Sequence, residues 1–413
     1  MRAVREFVRQ SAGGLPAAFW YLWAGTLVNR LGAFVLPFLA IYLTVRRDLS
    51  VSAAGLVIGC YGVGSAIGTT AGGVLADRWG RRSTLLTSHL GAASAMLALG
   101  FATNRAVITG VALVLGAFTE GARPAFSAMM VDVVPPRDRI RAFTLNYWAI
   151  NLGFACAAAL AGLVAQADYL LLFVVDAATT LATATIVLTR VKETLGTVGG
   201  GVAPAGGGAV VARGGLRTLL GDRVFLCLVA LNLPIAFVFM QHISELPIAM
   251  QHDGIAPARY GLVIALNGVM IVAGQLFLTR LIRDRDLSSV LAVAATLIGL
   301  GFGATAMADT VPLYALSVLI WTAGEMLNSP SGTTLVAELS PADMRGRYPA
   351  VVPLSCSVAS FAAPVLGGYV QQHLGDPAVW LGCCGLGLLV AVGQLAAGPA
   401  RRRRIAILRA AAA

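Results

Sequence analysis

The sequence predicts an all-α membrane protein, with twelve transmembrane helices arranged as two six-helix bundles. Three observations predict it. The 413 residues are 58% hydrophobic and only 12% charged, with a mean hydropathy of +0.80, whereas a soluble protein covers its surface with about 25% charged residues. Apolar stretches of membrane-crossing length recur twelve times. The second half of the chain repeats features of the first at a fixed offset. A soluble enzyme is excluded on composition.

A membrane helix needs about 20 mostly apolar residues. The first such stretch, 17–44, follows a basic segment with Arg2, Arg5 and Arg9. It is too long for a secretory signal core of about 7–15 residues and lacks a convincing cleavage site, so it reads as an uncleaved first span. The others are 53–76, 84–103, 106–131, 142–166, 169–190, 223–250, 258–280, 287–308, 311–337, 347–372 and 377–399. Very short turns near residues 104 and 309 separate two of the pairs. Cys60, Cys156, Cys227, Cys356, Cys383 and Cys384 all fall in apolar stretches without metal-ligand spacing. They read as packing residues; no disulfide, metal or cofactor is expected.

Basic residues set the orientation. With a cytoplasmic N-terminus, twenty-four Arg and Lys fall on the inner side, among them Arg78, Arg137, Arg190, Lys192, Arg280, Arg283 and Arg401 to Arg404. Only Arg46, Arg47, Arg105 and Arg259 fall outside. Both ends are therefore expected in the cytoplasm of a cell with the chain in its inner (plasma) membrane. The net charge of +11 is spent on orientation, helped by anionic lipid, and not on nucleic acid.

The longest polar interval, 191–222, holds "GTVGGGVAPAGGGAVVARGG", a flexible linker. It divides the chain into an N-terminal bundle (1–190) and a C-terminal bundle with a basic cytoplasmic tail (223–413). At an offset of 206 residues, Pro124 meets Pro330, Pro135 meets Pro341, and Asp132 meets Glu338. Arg139 and Arg141 meet Arg345 and Arg347; Gly162 meets Gly368, and Gln166 meets Gln372. Spans four and five thus correspond to ten and eleven. Internal repeats of this kind place a binding site between halves at the midplane.

The turn between spans two and three reads "GGVLADRWGRRSTLL", Gly72 to Leu86. Gly73 suits close helix approach, Gly80 suits a tight turn, and Asp77 can pair with an Arg at a helix end. Arg81 and Arg82 can reach lipid phosphates or acidic partners, and Arg78 belongs to the same cluster. Such a cluster can latch one conformation and release it in another. It can also serve only to set topology. The equivalent turn in the second half, "TRLIRDRDLSSVL", keeps its charges and loses the Gly and the L-A-D core.

The stretch resembles the signature loop of the major facilitator superfamily, G-x-L-a-D-r-x-G-r-r-x-x-l, at Gly73, Leu75, Asp77, Arg78, Gly80, Arg81, Arg82 and Leu85. Within that superfamily the chain is similar to the bacterial twelve-span drug:proton antiporters. "VNRLGAFVLPFLAIYLT" with Arg30, "ARPAFSAMMVDVVPPRDRIRAF" and "GEMLNSPSGTTLVAELSPADMRGRY" carry that likeness. The resemblance implies the major facilitator fold and a latch acting through Asp77 in the outward-facing state. In such exporters span five carries G-x-x-x-G-P-x-x-G-G. Here "GFACAAALAG" keeps Gly153 and Gly162 but places Ala157, Ala158 and Ala161 at the other positions, which weakens the antiporter assignment. Span eleven, "ASFAAPVLGG", keeps Pro364, Gly367 and Gly368 for helix packing.

Ionisable groups inside lipid are costly and call for a reason. Arg30, Glu120, Arg123, Asp176, Glu245 and Glu325 are such groups. Glu120 and Arg123 share a helix face, with Arg30 a candidate neighbour; they form either a structural salt bridge or a coupling and substrate site. Glu325 has no base nearby in sequence, so it can travel neutral or charged, as a proton carrier must. His242 and Glu245 share a face near the outer end of span seven, as a proton entry or a hydrogen-bonded pair. Asp132 and Glu338 sit at equivalent helix ends and are expected to hold Arg139 and Arg345 as gates. His89 reads as a packing residue.

These features imply a secondary active transporter exchanging protons for small, partly apolar compounds by alternating access, acting as a monomer. An importer or facilitator of a metabolite is the alternative. A membrane enzyme or lipid-handling protein is remote: there is no nucleophile elbow, metal cluster or cofactor loop. No Walker A pattern is present either, and Lys192 is the only lysine.

Overall fold

The computed structural model describes residues 13–195, 221–282, 285–341, 344 and 347–410. Most of the linker and Arg345 lie outside the described residues. Among the described residues, eleven helices are long and apolar enough to cross a membrane. A twelfth, Val311–Leu339, stands in the position of span ten. Its second half carries Asn328, Ser329, Ser331, Thr333 and Thr334, and this polarity explains why hydropathy alone does not select it.

The first span is broken. It runs Ala17–Leu31, then Val35–Ile41, then a π-turn Tyr42–Arg46. The remaining spans are Val51–Arg78, Arg81–Phe101, Arg105–Val133, Arg139–Ala167, Tyr169–Arg190, Arg223–Ser244, Pro257–Ile282, Leu287–Ala304, Val311–Leu339, Arg347–Leu374 and Asp376–Ala410. A short helix, Leu246–His252, extends span seven. Span twelve runs through Arg401–Arg404 as helix, so the basic stretch expected as a tail is a continuation of the span.

Backbone packing groups the residues into two compact units. The first comprises Met1–Val35, Gly64–Ala157 and Leu170–Gly208; the second comprises Leu36–Val63, Ala158–Tyr169 and Ala209–Ala413.

In the first unit, span two lies against span four without intervening side chains. Gly64, Gly68 and Gly72 face the carbonyls of Leu113, Ala117 and Gly121, and a Cβ on any of the three would overlap them. The four-residue spacing puts all three on one helix face, the small-residue packing that lets membrane helices touch. The break in span one is braced by span six. Buried Asp176 accepts the Val35 N–H at 3.1 Å, and the Asn29 amide donates to Thr180 at 3.0 Å. An unsatisfied N–H in lipid would be costly, which gives Asp176 a structural role. Phe19 and Leu22 are buried against Met129 and Met130, with Trp20, Tyr21 and Trp23 packed around them.

In the second unit, span eleven receives the first turns of span two. Gly55 abuts the Pro364 carbonyl and Gly59 abuts Phe361. The Ser52 N–H donates to Gln372 at 2.9 Å. The last turns of span five meet span eight: Gly162 lies on Pro257 and Ala258, and Gly261 on the Ala158 carbonyl. Where the span-five pattern has Pro, Ala158 stands, and its carbonyl is covered by Gly261 of the partner helix.

Candidate functional site

The charged loop of the first unit is a closed network. Gly80 turns the chain at φ +112°, a region open to glycine. The turn leaves the first N–H groups of span three without helical acceptors. Glu193, just beyond span six, fills that need. Its carboxylate accepts from the N–H of Arg81 at 3.0 Å and of Arg82 at 3.0 Å. It also accepts from Thr194 at 2.9 Å and Leu195 at 3.0 Å. Burial raises the Glu193 pKa, but these four N–H donors outweigh it and hold the carboxyl below its ordinary value. A Cβ at residue 80 would collide with this carboxylate, so Gly80 provides both the turn and the room.

Arg81 lies 3.4 Å from Asp132 at the end of span four and 3.7 Å from Asp77. Asp132 also accepts from the Thr194 hydroxyl at 2.7 Å. Arg82 donates to the carbonyls of Val187 and Leu188, the open C-terminal end of span six. Asp132 thus pairs with Arg81, not with Arg139. Arg139 instead donates to the Val131 carbonyl at 2.9 Å and caps span four. Arg78 ends span two, and Gly73 is buried beside Gly72.

Higher in the first unit, Arg123 and Glu120 form an ion pair at 3.2 Å. Among the described residues, no hydrogen bond or ion pair joins Arg30 to them. Arg30 instead packs where span one crosses Gly153 of span five. Pro124 sits inside a continuous helix.

Two carboxylates set within the spans of the second unit have no ion pair among the described residues. Glu325 accepts from the Asn267 amide at 2.7 Å, and that amide also reaches Thr322 at 3.1 Å. Glu245 is 1% exposed, at the junction between span seven and its extension. It takes the Ser244 hydroxyl as its donor, and its carbonyl accepts from Gln371 at 3.2 Å. Gly367 makes space for it: a Cβ there would collide with Glu245 and Gln241. Neither carboxylate has an ion pair among the described residues. His242 is buried between Phe239 and Trp321, with ring centroids 4.6 Å and 5.5 Å away. His89 has its ring nitrogen 2.6 Å from the Leu85 carbonyl and serves packing.

Glu338, the repeat counterpart of Asp132, lies on the wall of a cavity lined by spans nine, ten and twelve. Sequence reasoning missed Glu193. In sequence it lies 112 residues from Arg81, with nothing local to mark the contact.

Among the described residues, eleven membrane-crossing helices and a twelfth in the position of span ten, with carboxylates set within the spans, define a multi-span membrane transporter. Residues 22–364 match the Major Facilitator Superfamily, and the chain belongs to that family. It is 24% identical over 371 residues to a Na(+), Li(+), K(+)/H(+) antiporter of Planococcus maritimus, covering 80% of this chain and 84% of that one. It is 24% identical over 364 residues to the multidrug resistance protein MdtH of Aeromonas hydrophila, covering 86% and 87%. Among solved structures, the nucleoside transporter NupG superposes with a TM-score of 0.80 at 12% identity, covering 92% of this chain and 99% of that one. The last likeness is one of fold.

Proposed function

We propose that this chain is a proton-coupled exporter of small, partly apolar compounds in a bacterial plasma membrane, with both termini cytoplasmic. Halves 1–190 and 223–413 rock against each other to alternate access. The observation that carries this is the setting of Glu245 and Glu325, two carboxylates answered by neutral donors only. Among the described residues no ion pair holds either one ionised, so each can take up and release a proton during a cycle, and a cationic substrate can compete for it. The seating of Gly55 on Pro364 and of Gly261 on Ala158 supports a closed gate at the end remote from the Arg-rich loop. The name of the cation/proton antiporter relative supports coupling to protons, and that of the multidrug resistance relative supports export. They also place monovalent cations among the candidates to be screened.

The test is uptake of dyes, antibiotics, Na⁺, Li⁺ and K⁺ into inverted vesicles under an imposed proton gradient. Gradient-dependent accumulation, weakened by Glu325→Gln, is expected. Unchanged transport in that variant removes Glu325 from coupling, and gradient-independent transport removes proton coupling altogether.

A further inference from the structure

Gln241 is fully buried in the second unit, one turn before Glu245 on span seven. Its Nε2 donates to the Ala363 carbonyl of span eleven at 3.3 Å. A carbonyl can only accept, so this contact fixes which end of the amide is the nitrogen. The Gln241 Oε1 is turned the other way and meets no donor among the described residues. What it faces is Glu245. A Cβ built on Gly367 would stand within 3.0 Å of both the Gln241 Oε1 and the Glu245 Oε1, so the two oxygens share one gap between spans seven and eleven.

An amide oxygen and an ionised carboxylate are both acceptors only. Facing each other away from water, they repel, and each is left unanswered. Water does not relieve this, because the Gln241 oxygen has essentially no surface that a water could touch. A proton on Glu245 needs no such surface and answers both oxygens. The Ser244 hydroxyl donates to Glu245 Oε2, which leaves Oε1 to carry it. The Glu245 backbone is pinned from span eleven, its carbonyl accepting from Gln371 at 3.2 Å. The surroundings supply no ion pair. Span eleven presents Ala363, Gly367 and Gln371 here, none of them ionisable. Span twelve brings the Cys383 thiol near Glu245. On span seven itself, His242 packs its ring against Phe239 and Trp321.

We propose that Gln241 is the residue that holds the proton on Glu245: in this conformation Glu245 is a neutral acid whose O–H donates to Gln241 Oε1. The inference rests on the proposed proton coupling for its part in transport, though not for the protonation itself. It names the conformation seen here as the proton-loaded one. When the proton leaves to water, only the O–H bond breaks, and the carboxylate left behind opposes the Gln241 oxygen. Discharge is thereby linked to the position of the junction between span seven and its extension.

The first test needs no transport. Infrared difference spectra of the purified full-length protein at neutral pH, wild type minus Glu245→Gln, are expected to show the C=O band of a protonated carboxylic acid. Gln241→Leu removes the acceptor and is expected to weaken the hold on the proton about tenfold, so the band is half lost about one pH unit lower. The pH profile of gradient-driven uptake should move with it. Absence of the band from the wild type, or a midpoint unmoved in Gln241→Leu, overturns the proposal. If that variant does not fold, Gln241→Asn decides: a midpoint moved in the same direction supports the contact, and an unmoved one overturns it. Gradient-driven transport without the band removes this inference alone. The band, moved by Gln241→Leu in a protein whose transport ignores the gradient, keeps this inference and removes the coupling.

Discussion

Glu193 holds the start of span three by both carboxylate oxygens, one on the Arg81 N–H and one on the Arg82 N–H, each at 3.0 Å. The contact joins two spans that are far apart in sequence, and it sits where the signature loop ends. It is an N-cap supplied from another helix rather than from the preceding residue, and loss of an N-cap costs about 1 kcal/mol. Glu193→Ala is expected to lower the melting temperature of the purified protein. An unchanged melting temperature would show that water replaces the cap at no cost.

The same carboxylate gives a pH dependence of definite sign. Its pKa is depressed in the folded protein, so its contribution is fully present above the unfolded value of about 4.5. That contribution is lost as pH falls through the lower folded value. Wild-type stability should therefore decline more steeply below pH ~4.5 than that of Glu193→Gln. Parallel curves for the two proteins would exclude a role for the ionised form.

Arg81 and Asp132 are bound at 3.4 Å; Asp77 extends the network from Arg81, and Thr194 extends it from Asp132. Groups in one network couple by about 0.5–3 kcal/mol. A cycle of Arg81→Gln, Asp132→Asn and the double variant should show single effects that do not add. Asp77→Asn, at the more exposed margin, is expected to slow transport while ligand binding survives. Additive effects in the cycle, or a normal turnover rate in Asp77→Asn, would dissociate the network from cycling.

Much of this was legible in the sequence, for identifiable reasons. Spans are written in apolar length, and the repeat is written in prolines and charges. Gly162 and Gly368, paired by the 206-residue offset, both make close helix contacts, one on span eight and one on span two. Contacts made by a polar residue with a distant backbone were not legible. Nothing local marks Glu193 as the cap of span three, or Asp176 as the acceptor for the break in span one. Arg401, turned inward with 1% of its surface exposed, reads as one of four equivalent topology charges, because composition cannot tell a side chain turned inward from its neighbours turned outward. Span ten is marked by its place in the repeat although its polar half dilutes its hydropathy.

The glycine stripe of span two should divide by position. Gly68 faces the Ala117 carbonyl within the first unit, whereas Gly55 faces the Pro364 carbonyl within the second. Overpacking a tight contact costs about 1–3 kcal/mol. Gly68→Val is expected to reduce yield and thermal stability, since that contact is internal to one bundle. Gly55→Val is expected to leave a folded protein with impaired transport, because under the proposed alternating access its contact parts as the gate opens. Equal loss of folded protein in both variants would argue against a gate at Gly55.

Gly367 offers the most direct test of Glu245. Its missing side chain is the space in which the Glu245 carboxylate and the Gln241 amide sit, so any Cβ there must displace one of them. Glu245 is buried and Gln241 already has an oxygen without a donor among the described residues, leaving little freedom to rearrange. Gly382, on the neighbouring span, has open space within 4 Å of where a Cβ would stand and serves as the matched control. Gly367→Ala should therefore lower gradient-driven transport and thermal stability together, while Gly382→Ala changes neither. Should Gly367→Ala prove unstable, Glu245→Gln keeps the volume and removes the charge. That variant is expected to fold and to lose the pH dependence of transport. A pH profile matching the wild type would assign Glu245 to packing and leave proton transfer to Glu325.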